Sequence, residues 1–194
     1  PTPMGVLKDL RIESSDVKRL KNVSELLGFP KILCDDLQEE KLKNVLQVWD
    51  ELFEEDYKNP VVINTDSLKN EGVLEPNYKI DSDSITLHLL TSGTTGKPKC
   101  VQHSHRTLCN HVVINSKGFE LEEDSVYLNW MPLDHVGGIV MSHLQALYKQ
   151  CVQEQINVNL FGAQPLRWLD WIEKYKITHT WSPNFSFNII TQHI

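Results

Sequence analysis

The sequence predicts an α/β fold of mixed, largely parallel sheets joined by crossover helices. Three observations carry that expectation. Residues 17–63 alternate helix, strand, helix, strand, and that order favours parallel strands connected by helices. Residues 84–90 (S-I-T-L-H-L-L) are β-branched and apolar enough to read as a buried central strand. Beyond it, further strand signals alternate with apolar stripes of helical spacing.

In order, Asp16 is the expected cap of a helix running to Leu27, with Val17, Leu20, Val23 and Leu27 on one face and Gly28 as its stop. Pro30 bars continuation, and residues 31–34 read as a short buried strand. Asp35 and Asp36 both offer caps for the next helix, with Gln38 and Glu39 three residues on. Its stripe is Leu42, Val45, Leu46, Trp49, Leu52 and Phe53, and Asn59-Pro60 ends it before a strand at 61–63. Residues 64–83 carry Asp, Asn, Ser, Gly and Pro throughout and read as a long loop. Residues 100–103 form a returning strand, and Ser104 caps a helix to about Ser116. A strand follows at 126–130, then a turn at 131–138. Ile139, Val140, Leu144, Leu147 and Tyr148 stripe the next helix. Residues 151–160 alternate as a strand. Pro165 opens a helix with Trp168, Leu169, Ile172 and Tyr175 inward. Residues 178–181 form a last strand, and Pro183 opens a final helix.

Composition narrows the function classes. The 194 residues are 40% hydrophobic and 23% charged, ordinary for a soluble domain. A net charge of −7 with scattered lysines argues against nucleic acid as a partner. No apolar run reaches transmembrane length, so no membrane partner is expected. Cys34, Cys100, Cys109 and Cys151 are widely spaced, without a C-x-x-C pair, and read as free thiols in a reducing cytoplasm. Both ends of the sequence read as cuts in a longer chain, and apolar surface exposed by such cuts makes self-association an expectation.

The chemistry concentrates in residues 90–99, L-T-S-G-T-T-G-K-P-K. Glycines let the backbone turn and approach another group closely. Turned backbone N–H groups flanked by hydroxyls and ammonium charge make a concave anion site suited to a polyphosphate. It is not a Walker A loop. Counted from Gly93, the second glycine of that pattern would fall on Pro98, and no Ser or Thr follows Gly96-Lys97. A second constellation, residues 130–138 (W-M-P-L-D-H-V-G-G), puts a histidine and two glycines in the turn after a strand, where α/β sheets present ligand sites.

Residues 91–100 resemble, nearly letter for letter, the phosphate-loop signature T-S-G-T-T-G-x-P-K-G of the adenylate-forming enzymes: acyl-CoA synthetases, luciferases and the adenylation domains of peptide and polyketide synthases. Cys100 stands where glycine is usual. Pro132, Leu133, His135 and Gly138 match that family's P-[LF]-x-H-x-x-G. Residues 20–33 and 168–190 are similar to its flanking segments. The resemblance is closest to the acid-loading adenylation domains of polyketide/nonribosomal peptide synthases of the bacillaene type. It implies that residues 1–194 are a truncated part of the adenylate-forming N-terminal domain, without the C-terminal lid domain.

By that resemblance, Thr91, Ser92, Gly93, Thr94, Thr95 and Gly96 hold the β- and γ-phosphates of ATP, Lys97 and Lys99 add cationic screening, and Mg2+ accompanies the nucleotide. Asp134, His135, Gly137 and Gly138 shape the pocket of a small carboxylic or amino acid. Asp134 is either a partner for a substrate ammonium or a solvated turn carboxylate. Trp181, Asn184 and Phe185 line the pocket or belong to the core. The implied acceptor is a phosphopantetheine thiol, on an acyl/peptidyl carrier domain or on coenzyme A. The family's catalytic lysine and its adenine and ribose contacts lie outside these residues, so the segment alone is expected to be inactive. Two rival readings are a non-catalytic nucleotide-fold binding module and a metal hydrolase using His103, His105 and His111. The latter trio lacks a nearby carboxylate, and a helix starting at Ser104 breaks its alignment, so no metal site is expected.

Overall fold

The structure, a computed structural model, describes residues 11, 14–47, 61–68, 79–91 and 99–193. The chain divides into two compact units. One comprises residues 4–79 and 91–100; the other comprises residues 80–90 and 101–194, with residues 1–3.

In the first unit, helix α1 (Ser15–Leu26) begins at Ser14, whose extended backbone places its hydroxyl to accept from the Val17 N–H at 3.2 Å. Ser14 is thus the cap, in place of Asp16. Asp16 lies inside the first turn, where its charge instead favours the helix dipole. Val17, Leu20 and Val23 are buried, while Leu27 is half-buried just past the helix. Gly28 and Phe29 leave through left-handed backbone, φ +67° and +57°, and the Phe29 N–H closes on the Ser24 carbonyl at 2.7 Å.

Strand β1 (Ile32–Cys34) pairs in parallel with β2 (Val62–Asn64), as the alternation required. Only Cys34 of β1 is buried, and Leu33 is 56% exposed, so the expected buried strand is a one-faced one. Asp35 caps α2 (Asp36–Gln47) by accepting from the Gln38 N–H at 2.8 Å. The Asp36 and Glu39 carboxylates each accept from the Asn64 side-chain amide at 2.7 Å, tying the helix start to the end of β2. The Asn64 bond, with Lys43 adding to it, holds the Glu39 carboxyl below the usual carboxylate range. Val17, Leu20, Cys34, Leu42 and Val45 form the core, covered by Phe29, Ile32, Leu46 and Val62. Trp49, Leu52, Phe53, Asn59 and Pro60 lie outside the described residues, as does the middle of the 64–83 loop.

The second unit holds most of β3 (Ile85–Thr91) and of its partner β4 (Lys99–Ser104), all but Thr91, Lys99 and Cys100. The alternation of β3 puts Leu87 and Leu89 inward against Val140, with Leu108, Ile139 and Leu144 around them. Ile85 is 46% exposed, so this strand too has one wet face and is not buried throughout. Ser104 caps α3 (His105–Gly118) by accepting from the Thr107 N–H, as its position predicts. Strand β5 (Val126–Asn129) lies between β6 (Val152–Gln155) and β7 (His179–Thr180), parallel to both.

Three expectations about this unit fail. After α4 (Val136–Gly138), residues Ile139–His143 form a π-helical turn before α5 (Leu144–Lys149). The extra residue in that turn rotates everything downstream by about 100°. Leu147 and Tyr148 therefore face solvent, and Ser142, Gln145 and Ala146 are buried instead. The alternation over 151–160 ends as a strand at Gln155. The Asn157 side chain then accepts from the Asn159 N–H and starts α6 (Val158–Ala163). Trp168 and Ile172 of α7 (Arg167–Lys174) and Tyr175 at its end join the core as expected, but Leu169 is exposed and Trp171 is buried in its stead. Trp130 stacks on Phe161 at 4.0 Å, and Leu128, Met131, Trp168, Trp171 and Ile190 of α8 (Asn184–His193) complete that core.

Tyr127 of β5 braces the π turn, its hydroxyl donating to the Met141 carbonyl at 2.9 Å. Burial pushes its pKa up to about 12. A neutral group whose folded pKa exceeds the unfolded value contributes stability below the unfolded pKa and loses it as pH rises through the folded one. The urea midpoint should therefore fall between about pH 10 and pH 12. Tyr127→Phe should cost about 1 kcal/mol at neutral pH and flatten that alkaline slope.

Candidate active site

The second glycine-containing constellation is the better defined one. β5 ends in Asn129, and the chain then reverses through residues 130–135 into α4. The His135 N–H closes the turn on the Pro132 carbonyl at 3.1 Å. Gly138 comes so close to that same carbonyl that a Cβ would overlap its oxygen and lie 2.7 Å from the Met131 oxygen. On Gly137 a Cβ would overlap the Trp181 indole and lie 3.2 Å from His135 Nδ1. The two glycines are thus required for space, not for unusual dihedrals.

His135 caps α4. Its Nδ1 accepts from the Gly137 N–H at 3.0 Å, which only the neutral ring with its proton on Nε2 can do. The ring is exposed, while Asp134 beside it is half-buried. A neutral imidazole N–H, a nearby carboxylate, buried glycine backbone and an indole wall can orient a small acid by hydrogen bonds and by shape.

Several polar residues that sequence reasoning passed over hold this turn. Asn129 is 0% exposed. Its Nδ2 donates to the Gly138 carbonyl at 3.1 Å and to Gln155 Oε1 at 2.9 Å, and its Oδ1 accepts from the Met131 N–H at 3.0 Å. Ser142, in the π turn, donates to the Gly137 carbonyl at 2.9 Å. One signal was available: Asn129 is a polar residue closing the otherwise apolar V-Y-L-N-W run at a strand's carboxyl end.

Of the phosphate-loop residues, Thr91 is the last of β3 and Lys99 the first of β4, and both are exposed. Ser92, Gly93, Thr94, Thr95, Gly96 and Lys97 lie outside the described residues. Cys100, at the position usually glycine, is half-buried, and burial pushes its thiol pKa up. Trp181 borders Gly137, whereas Asn184 and Phe185 are exposed. The rival metal trio does not assemble. His111 faces Asn115 at 2.6 Å and Met141 at 3.3 Å, and no group of His, Cys, Asp and Glu among the described residues could hold a metal ion. No described helix is long and apolar enough to cross a membrane.

The model of the AMP-binding enzyme family matches residues 11–194. The chain belongs to the AMP-binding enzyme family.

Among curated relatives of this AMP-binding chain, the medium-chain-fatty-acid–[acyl-carrier-protein] ligase JamA of Moorena producens is 32% identical over 108 residues, 56% of this chain and 18% of JamA. The aspulvinone E synthetase melA of Aspergillus terreus is 37% identical over 99 residues, 51% of this chain and 11% of the synthetase. Among solved structures, the adenylation domain of a keto acid-selecting NRPS module bound to keto acyl adenylate superposes with TM-score 0.79 at 35% identity, over 96% of this chain and 32% of that one. McyG A-PCP complexed with phenylalanyl-adenylate gives 0.83 at 34% identity, over 96% and 29%. The AMP-binding chain therefore spans under a third of the solved chains, and less of the curated relatives.

The two glycine positions make a direct test of the turn. Gly138→Ala should lower stability by about 1–3 kcal/mol, because the clashing partner is backbone and cannot swing away. Gly118→Ala, where a Cβ meets nothing within 4 Å, should be neutral or slightly stabilising. Paired urea melts of the two variants check this.

Proposed function

We propose that these residues belong to an ATP-dependent ligase that activates a small carboxylic acid as its acyl-adenylate and passes the acyl group to a phosphopantetheine thiol. The thiol sits on a carrier domain or on coenzyme A, and the enzyme loads a polyketide/nonribosomal peptide synthase. The observation that carries this reading is the turn: glycine backbone, the indole of Trp181 and the neutral His135 ring converge on one face of residues 134–138. The names of the relatives support it, one being an acyl-carrier-protein ligase, as do the keto acyl and phenylalanyl adenylates held by the solved neighbours.

In the first step a carboxylate oxygen attacks the α-phosphorus of ATP and pyrophosphate leaves with the electrons of the broken P–O bond. Acid and ATP are both anions, so the loop must screen charge as well as position it. Thr91, Ser92, Gly93, Thr94, Thr95 and Gly96 hold the β- and γ-phosphates, and Lys97 and Lys99 supply the cations. This donor set of hydroxyls, amides and ammonium groups fits phosphate oxygens and contains no carboxylate, so a Mg2+ ion would have to come with the nucleotide rather than be held by these side chains. When bound, that ion would supply further positive charge to offset the charge on the pyrophosphate. His135, Gly137 and Gly138 shape the acid site, with Asp134 beside it. In the second step the thiolate attacks the acyl carbonyl and AMP leaves.

Pyrophosphate exchange with ATP and a panel of carboxylic acids tests the reading, on this segment and on the natural full-length chain. Activity is expected only in the latter, reduced at least about 100-fold by Lys99→Ala combined with Thr95→Ala. A well-folded full-length chain inactive with every acid would instead leave a nucleotide-fold binding module.

A further inference from the structure

We propose that Asn129 is a positioning residue for the acid site, its buried carboxamide setting the backbone that orients His135, with Gln155 as a second anchor. The proposal rests on the reading of this turn as the acid site.

Asn129 occupies the last position of β5, where the sheet hands the chain to the turn. It is fully buried, so each of its polar atoms must find a protein partner or cost stability. Both amide hydrogens are used, on the Gly138 carbonyl and on Gln155 Oε1, and Oδ1 takes the Met131 N–H. One planar group therefore grips the first peptide of the turn and the last. Its main-chain carbonyl also accepts from the Ile156 N–H at 2.8 Å, on the side of β6.

From Gly138 the constraint passes to the histidine through two peptide planes. The Gly138 carbonyl is held by Asn129 and the Gly137 carbonyl by Ser142. With both planes fixed, the adjoining Val136–Gly137 peptide directs its Gly137 N–H at His135 Nδ1, and that bond selects the ring's orientation and its Nε2–H tautomer. Only asparagine satisfies all three partners of its side chain at this length. Aspartate would set a carboxylate oxygen against two carbonyl-type oxygens, and an apolar residue would strand the buried Met131 N–H.

Gln155 serves the same end from the neighbouring strand. It accepts from Asn129, and its own Nε2 reaches the Met131 carbonyl at 3.5 Å and the Ile156 carbonyl at 3.4 Å. Being exposed, it can be changed at smaller cost to folding than Asn129.

The test compares Asn129→Asp, Gln155→Met and the remote core variant Val112→Ala in the natural full-length chain. Residue-resolved hydrogen exchange at Gly137 and the kinetics of pyrophosphate exchange are read together. Gly137 exchange should quicken at least 10-fold in Asn129→Asp and by a smaller factor in Gln155→Met, with the KM for the acid rising in the same order and the KM for ATP within twofold. Val112→Ala should move neither beyond what its lower stability explains. Gly137 exchange within twofold of the Val112→Ala control in both variants overturns the proposal. So does quickened exchange with an unchanged acid KM. Quickened exchange in a chain that activates no acid in any form supports the positioning contact and overturns the functional reading on which its role was built.

Discussion

The Gly138 Cα lies against the Pro132 carbonyl, and the structure around the candidate site follows from that approach. A turn doubled back so tightly buries peptide groups that water cannot reach, and each must be satisfied from within the protein. Asn129, Ser142 and His135 do this with side chains, on the Gly138 carbonyl, the Gly137 carbonyl and the Gly137 N–H in turn. Glycine at two positions, an asparagine at a strand end and a π-helical turn just beyond are one connected solution to a single steric demand.

The π turn is tied into the same network. Adding a residue to the helix at 139–143 brings Ser142 round to the Gly137 carbonyl and Met141 to the Tyr127 hydroxyl. A regular helix would have kept Leu147 and Tyr148 on the buried face, as their spacing suggests, and would have carried those polar contacts elsewhere. Burying Gln145 in place of a leucine is part of the cost. π turns of this kind occur often beside functional sites.

What was legible in the sequence and what was not divide along physical lines. The parallel pairing of β1 with β2, and of β5 with its neighbours, followed from alternating element types, and the Ser104 cap from its place before a periodic run. The turn at 131–138 and its histidine were legible as a motif. The Ser14 cap was missed because Asp16 is an equally good cap chemically, and only backbone conformation separates them. The helical phase after Gly138 was missed because period counting assumes 3.6 residues throughout. Asn129 and Gln155 were missed because their role is a contact between strands 26 residues apart, which no local pattern records.

Binding of a hydrolysis-resistant acyl-adenylate analogue, set against the same nucleoside lacking its acyl group, tests most directly whether this turn receives the acid. The comparison is between the natural full-length chain and its Gly137→Ala variant, in which the new methyl presses on Trp181 and His135. Affinity for the acyl analogue is predicted to fall at least 10-fold, about 1.4 kcal/mol or more, while affinity for the bare nucleoside stays within twofold. Equal losses for both ligands, or none for either, would contradict the assignment of the acid site to residues 134–138.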